Sequence, residues 1–266
     1  MAQPSRQAQP AGVVAATPET AAAVFGARLP LAEQFVAILA DTGITHGLIG
    51  PREAPRLWDR HVLNCAVVHE AIPVTGDVQR VIDVGSGAGL PGLALAIARP
   101  DLELHLVEPL ARRTAWLSET VARLGLPNVT VHTARAERLW DRLDAPWVTA
   151  RAVSNIIQLA EWTLPLLRPG GALLALKGSR AQQELEESRT ALTRLGVVDA
   201  EVEAFGAELL DAPTLVIRAA VGETVDRRRF LSRQPSSAGS ARRRADRPRG
   251  SRRSGPAAGG RRRHQS

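Results

Sequence analysis

The stretch Val81-Ile82-Asp83-Val84-Gly85-Ser86-Gly87-Ala88-Gly89-Leu90-Pro91-Gly92 decides the fold of this chain. Its first half is short, apolar and β-branched, which suits a buried strand. Its second half is a glycine loop, and residues 93–98 then read as a helix. Glycine lets the backbone turn sharply and lets a ligand come close. A strand, a glycine loop and a helix in that order form the context in which such a loop binds a small molecule. In an open α/β sheet the ligand sits at the carboxyl ends of the strands. The glycines are spaced G-x-G-x-G, with Leu90 where a dinucleotide fingerprint needs its third glycine. Asp83 stands where a dinucleotide-binding strand is normally apolar. The bland alternative, a tight turn without a ligand, loses ground because an acid, Glu108, closes the next strand-like run.

Outward from the loop, strand-like runs occupy residues 80–84, 102–107, 129–132, 147–150, 172–176, 197–204 and 214–221. Helical patterns fill 93–98, 110–124, 156–167 and 181–195. Strands alternating with helices predict an α/β fold, a doubly wound, mostly parallel seven-stranded sheet with helices on both faces. About ten residues without a helical pattern separate the last two strands, so the final strand is expected to run antiparallel. Ahead of the sheet, apolar residues recur at helical spacing from Thr20 to Gly43 and again over 53–71. The expected organisation is a disordered extension over 1–17, an N-terminal helical segment over 18–73, a sheet domain over 74–225 and a disordered Arg-rich tail over 226–266.

Charge divides along the same lines. The chain's formal +7 hides a tail, 227–266, with 14 Arg against Asp246 alone, a net +13; the body is mildly acidic, at −6. The pI near 11 therefore belongs to the tail. This tail is expected to act as a non-specific tether to phosphates, raising affinity and its salt dependence without choosing a base. One cysteine, Cys65, excludes a disulfide framework and a Cys-rich zinc site. No apolar run reaches the length of a membrane span, and residues 1–16 lack the apolar stretch of a signal peptide, so a cytoplasmic protein is expected. Among 34 basic residues only Lys177 is a lysine.

The loop spacing and Asp83 resemble the S-adenosylmethionine-binding loop of the doubly wound methyltransferases, with Glu108 placed to accept both ribose hydroxyls. After the strand at 147–150 the chain reads Arg151-Ala152-Val153-Ser154-Asn155. Methylases of exocyclic amines carry Asn/Asp-Pro-Pro-aromatic there, and cytosine-C5 methylases need a nucleophilic cysteine near those motifs. Neither is present, and the chain has no tyrosine. What remains is transfer to an atom that is already nucleophilic. Guanine N7 carries an exposed lone pair, needs no prior deprotonation and calls for alignment rather than a general base.

Five segments then occur in order: Leu57-Trp58-Asp59-Arg60-His61-Val62-Leu63-Asn64, the glycine loop ending Leu90-Pro91-Gly92, Ala134-Arg135-Ala136-Glu137, Ala150-Arg151-Ala152, and Leu174-Ala175-Leu176-Lys177-Gly178. Together, over about residues 30–221, they resemble the bacterial small-subunit ribosomal RNA guanine-N7 methyltransferase family, also called glucose-inhibited division protein B. The resemblance implies S-adenosyl-L-methionine as cofactor, bound by Gly85, Gly87, Leu90, Glu108, Ala136, Glu137 and Arg151, with Arg151 able to reach either the cofactor or the target base. It implies Arg60, His61 and Lys177 at the substrate, no metal, and a monomer acting on 16S ribosomal RNA or the small ribosomal subunit. Arg60, Arg135, Arg138 and Lys177 would form the patch that faces RNA; the five tryptophans are expected to be core or packing residues, with Trp58, beside Arg60, the one to test for RNA contact. Asn64-Cys65 departs from the Asp-Ser that family members often carry. A small-molecule methyltransferase and a non-catalytic RNA-binding protein on the same fold stay open as alternatives, since fold alone does not separate them.

Overall fold

The computed structural model describes residues 14–224 and Phe230. The expectations for residues 1–13 and, apart from Phe230, for the tail beyond 224 lie outside the described residues. In chain order the helices are α1 (Glu19–Phe25), α2 (Leu29–Ile38), α3 (Asn64–Ala66), α4 (Gly92–Ala98), α5 (Ala111–Leu124), α6 (Ile156–Thr163) and α7 (Ala181–Leu195). The strands are β1 (Gln79–Val84), β2 (Leu102–Glu108), β3 (Val129–Thr133), β4 (Ala145–Arg151), β5 (Leu167–Lys177), β6 (Val197–Phe205) and β7 (Thr214–Val221).

They form one seven-stranded sheet in the order β3-β2-β1-β4-β5-β7-β6, parallel except at β7, which runs antiparallel to both neighbours. The expected fold and the expected reversed last strand are therefore what the structure has. The chain leaves β1 on one side towards β2 and returns on the other side to β4. The gap between β1 and β4 is thus the switch point, and their carboxyl ends are Val84 and Arg151.

Alternation along β1 and β2 divides the core into two halves. Val81, Leu102, Leu104 and Leu106 pack with Leu93, Ile97, Trp116 and Leu117, and with Phe35, Leu39 and Leu57 from the N-terminal segment. Ile82, Val84 and Val107 face the other way, packing with Val148, Ile156, Leu159, Leu173 and Leu185. The N-terminal helices thus cover one face of the sheet rather than standing apart, and residues 14–224 belong to one compact unit. Phe230, beyond the expected boundary at 225, is 3% exposed and packs its ring edge-on against Trp140 at 6.2 Å.

Two details differ from the sequence reading. The helical run Glu19–Gly43 is long and apolar enough to cross a membrane by length and composition, where no such run was expected. A count of consecutive apolar residues passes over it because Arg28, Glu33 and Asp41 interrupt it. Its buried face belongs to the core, and Trp116 Nε1 donates to Thr42 Oγ1 at 2.9 Å. The stretch 53–71 is not one regular helix. It passes through a 3-10 turn, Pro51–Arg56, a wide π turn, Leu57–Leu63, then α3 and a second 3-10 turn, Val67–Ala71. Pro55 lies inside the first turn, where it has no N–H to donate.

Candidate functional site

Every residue expected at the cofactor lies at, or just beyond, the carboxyl ends of the first four strands. Gly85 and Gly87 leave β1 with φ of +75° and +52°, a region that favours glycine. A Cβ on Gly85 would meet Val153 Cγ2 at 2.7 Å, whereas one on Gly87 would meet only the Gly85 carbonyl oxygen at 3.7 Å. The loop is therefore closed over its first glycine by the segment after β4 and open over its second. Leu90 is buried beneath it, 8% exposed.

Asp83 acts inside this loop rather than at its surface. Its carboxylate is fully buried and accepts from Gly92 N and Thr149 Oγ1, each at 3.2 Å. One side chain thereby ties β1 to β4 and to the start of α4. Burial pushes the Asp83 carboxyl up to about 6, against the hydrogen bonds around it, and Glu108 adds repulsion. Because the folded value lies above the unfolded one, the folded protein binds this proton more tightly. The associated stability is complete below about pH 4 and is lost as pH rises through about 6, roughly 3 kcal/mol in all. Relative to Asp83→Asn, wild type should gain stability as pH falls from 7 to 4. Urea unfolding at each pH checks this, and a constant difference would remove the assignment.

Glu108 closes β2 at 2% exposure. Its Oε1 accepts from Leu110 N at 3.0 Å, and its Oε2 from Gly87 N at 3.2 Å and Arg113 Nη1 at 3.4 Å. Three of about four acceptor positions on the carboxylate are thus in use. To take both hydroxyls of a ribose it must release Gly87 or Arg113. Arg113 Nε is itself buried without an acceptor, so this end of the site has donors to spare. Ala136, buried, and Glu137, half-buried and already engaged within the fold, begin the turn Ala136–Arg138 after β3.

A cleft of about 1420 Å³ opens at the carboxyl ends of β4 and β5, against the helical segment. Arg56, Asp59, Arg60, His61 and Asn64 line it from the helical segment, Arg151 and Ser154 from the end of β4, Lys177 from the end of β5 and Leu209–Pro213 from the β6–β7 connection. Arg151 is the residue that joins the cleft to the switch point. Its guanidinium turns towards the helical segment, donating from Nη2 to His61 Nδ1 at 2.7 Å and from Nη1 to Cys65 Sγ at 2.8 Å. Burial raises the Cys65 thiol, with Arg151 pulling the other way. Burial likewise lowers the His61 imidazole against the pull of Glu53, whose carboxylate lies 2.9 Å from His61 Nε2.

Lys177 is brought to the cleft wall but is already paired. Its Nζ donates to Glu184 Oε1 at 2.8 Å and to the Ser154 carbonyl at 3.0 Å. Glu184 also accepts from Ile156 N at 2.7 Å. Lys177 therefore fixes the loop after β4 to α7. Trp58 is 2% exposed, a core residue as expected, and offers no stacking face to RNA. Of the expected basic patch, Arg60 lines the cleft, while Arg135 and Arg138 are exposed beside β3. The cleft wall itself is balanced: Arg56, Arg60, Arg151 and Lys177 are matched by Glu19, Glu53, Asp59 and Asp211. Sequence reasoning missed Glu53, Arg113, Val153 and Glu184. None lies at a strand end; Arg113, Val153 and Glu184 each touch a residue at or just beyond one, and Glu53 touches His61, which in turn meets Arg151.

The chain matches the GidB family, described as rRNA small subunit methyltransferase G, over residues 28–213. It is 53% identical to the ribosomal RNA small subunit methyltransferase G of Paenarthrobacter aurescens strain TC1, over 79% of this chain and 96% of that protein. It is 48% identical to the protein of the same name from Streptomyces avermitilis, over 83% and 92%. Among solved structures it is similar in fold to a putative S-adenosyl-L-methionine-dependent methyltransferase from Methanococcus maripaludis, with a TM-score of 0.50 and 14% identity over 73% of this chain and 93% of that one.

Proposed function

Because the chain belongs to the rRNA small subunit methyltransferase G family, we propose that it transfers a methyl group from S-adenosyl-L-methionine to N7 of a guanine in 16S ribosomal RNA, in the cytoplasm. The observation that carries this reading is the placement of Arg151, between the glycine loop of β1 and a cleft roomy enough for an extruded nucleotide. The residues present suit the cofactor. The backbone over Gly87 is open, Glu108 ends the adjacent strand, and the turn at Ala136–Arg138 follows the next one.

When bound, S-adenosyl-L-methionine supplies the methyl group as a reactive sulfonium substituent. The backbone at Gly85, Gly87 and Leu90 would hold its amino-acid end, and Glu108 its ribose. Ala136 and Glu137 would bracket the adenine. Arg151 and Arg60 would meet the target nucleotide, with His61 and Lys177 acting on it through the groups they fix. Guanine N7 needs no base, so the work of the protein is to exclude water and hold acceptor and donor in line. The base must lie in a loop or be unstacked, because N7 in an A-form helix is poorly accessible. Exposed Arg135 and Arg138 would engage phosphate, and the Arg-rich tail would add a non-specific tether.

A strain lacking this gene should lose one N7-methylguanosine from its 16S ribosomal RNA and regain it on complementation. Mass mapping of matched strains reads this directly. Full N7 methylation in the deletion strain would end the proposal.

A further inference from the structure

We propose that Glu53 and His61 form a positioning pair that sets the orientation of the Arg151 guanidinium for the methyl acceptor. This rests on the reading above that the cleft receives the target nucleotide. The argument begins with what each atom can do. A guanidinium only donates hydrogen bonds. Arg151 Nη2 lies 2.7 Å from His61 Nδ1, so Nδ1 accepts and carries no proton. The imidazole proton is then on Nε2, which donates to Glu53 Oε2 at 2.9 Å. Glu53 thus selects the one tautomer of His61 that can accept from Arg151.

The other side of the guanidinium is fixed as well. Nη1 reaches Cys65 Sγ at 2.8 Å and the His61 carbonyl at 3.4 Å. Nε and the second hydrogen of Nη2 appear in none of these bonds. They are the donors that Arg151 retains for an acceptor in the cleft, such as a guanine carbonyl or a phosphate oxygen. Arg151, His61 and Glu53 all line that cleft. The pair therefore does for Arg151 what an orienting carboxylate does for a histidine: it removes alternative rotamers before the substrate arrives.

The arrangement also fixes the direction of its pH dependence. The charged groups facing His61 are Glu53 and Arg60 from the helical segment and Arg151 from β4. A proton on Nδ1 would set N–H against N–H and release the guanidinium, so activity should fall on the acid side. Glu53 favours the protonated imidazole, so removing its charge should move that acid limb to lower pH.

The test measures methyl transfer from labelled S-adenosyl-L-methionine to small-subunit RNA by the full-length protein, across pH 5 to 8. Glu53→Ala should lower kcat/KM for RNA about tenfold at pH 7. Cofactor affinity by calorimetry should stay within about twofold. Glu53→Gln keeps an acceptor for Nε2–H without the charge. It should recover most of the activity while its acid limb lies below that of wild type. Glu53 is partly exposed, and thermal melts of both variants confirm the fold. Wild-type kcat/KM and an unshifted limb in Glu53→Ala would overturn the pair. So would a Glu53→Gln enzyme as impaired as Glu53→Ala with the limb unmoved. If wild type itself transfers no methyl to this RNA, the substrate reading fails instead, and the two failures are distinguishable.

Discussion

Gly85→Asp should abolish measurable binding of S-adenosyl-L-methionine, a loss of at least about a hundredfold in affinity. Gly85 has φ of +75°, where a side chain is strained by about 1–3 kcal/mol. A Cβ at that position would lie 2.7 Å from Val153 Cγ2 and 3.3 Å from Cγ1, so the loop after β4 must move as well. The carboxylate would add a third acidic group to a loop already held by Asp83 and Glu108. Gly85→Ala carries the strain and the clash without the charge, and should lose about tenfold. Adding Val153→Gly removes the clash and should recover part of that loss. Calorimetry on each variant, with a melt to confirm folding, separates these contributions. Wild-type affinity in Gly85→Asp would show that the glycine loop does not hold the cofactor.

The cofactor loop is legible in the sequence; other features of the site are not. The seven strands, their order of appearance and the reversed last strand follow from periodicity and connection length, which are local properties. The position of the cofactor residues follows from a topological rule, that strand ends gather at one edge. Glu53 obeys neither. It lies eight residues before His61, and a regular helix would set the two about 12 Å apart along its axis. They meet because 53–71 is a chain of 3-10, π and α turns, with Pro55 in the first. Lys177 shows the opposite case. Its position at a strand end is readable, but its partner Glu184 lies on α7, and only packing brings them to 2.8 Å. The charge arithmetic was informative in a third way. The body carries no net positive charge, and the cleft has none either, since its cations and carboxylates are equal in number. RNA attraction must then come from exposed arginines outside the cleft, leaving the cleft to recognise rather than to attract.

Gly92→Ala should destabilise the fold by about 2–4 kcal/mol although the substitution adds one methyl group. Gly92 has an ordinary helical backbone, so no φ argument applies; the constraint is space. A Cβ there would stand 2.2 Å from Leu106 Cδ2 and 2.8 Å from Asp83 Oδ2. Both neighbours are fully buried, so neither can retreat into solvent. Asp83 cannot move without loosening the bond from Gly92 N or the one from Thr149, and each lost partner leaves a buried polar atom unsatisfied. Leu106 cannot move without disturbing the packing beneath α4. For a body of this size the change corresponds to a fall in Tm of roughly 5–15 °C. Leu106→Ala alone should cost about 2–5 kcal/mol through its cavity. In the Gly92→Ala background it should cost distinctly less, because the same truncation relieves the clash. Chemical denaturation of the two single variants and the double variant measures that coupling. Strict additivity, or a Gly92→Ala protein as stable as wild type, would mean that the strand, loop and helix are not packed at van der Waals contact here. The consequence for function is that Asp83, which no ligand needs to touch, would hold the cofactor loop in place by filling the space Gly92 leaves.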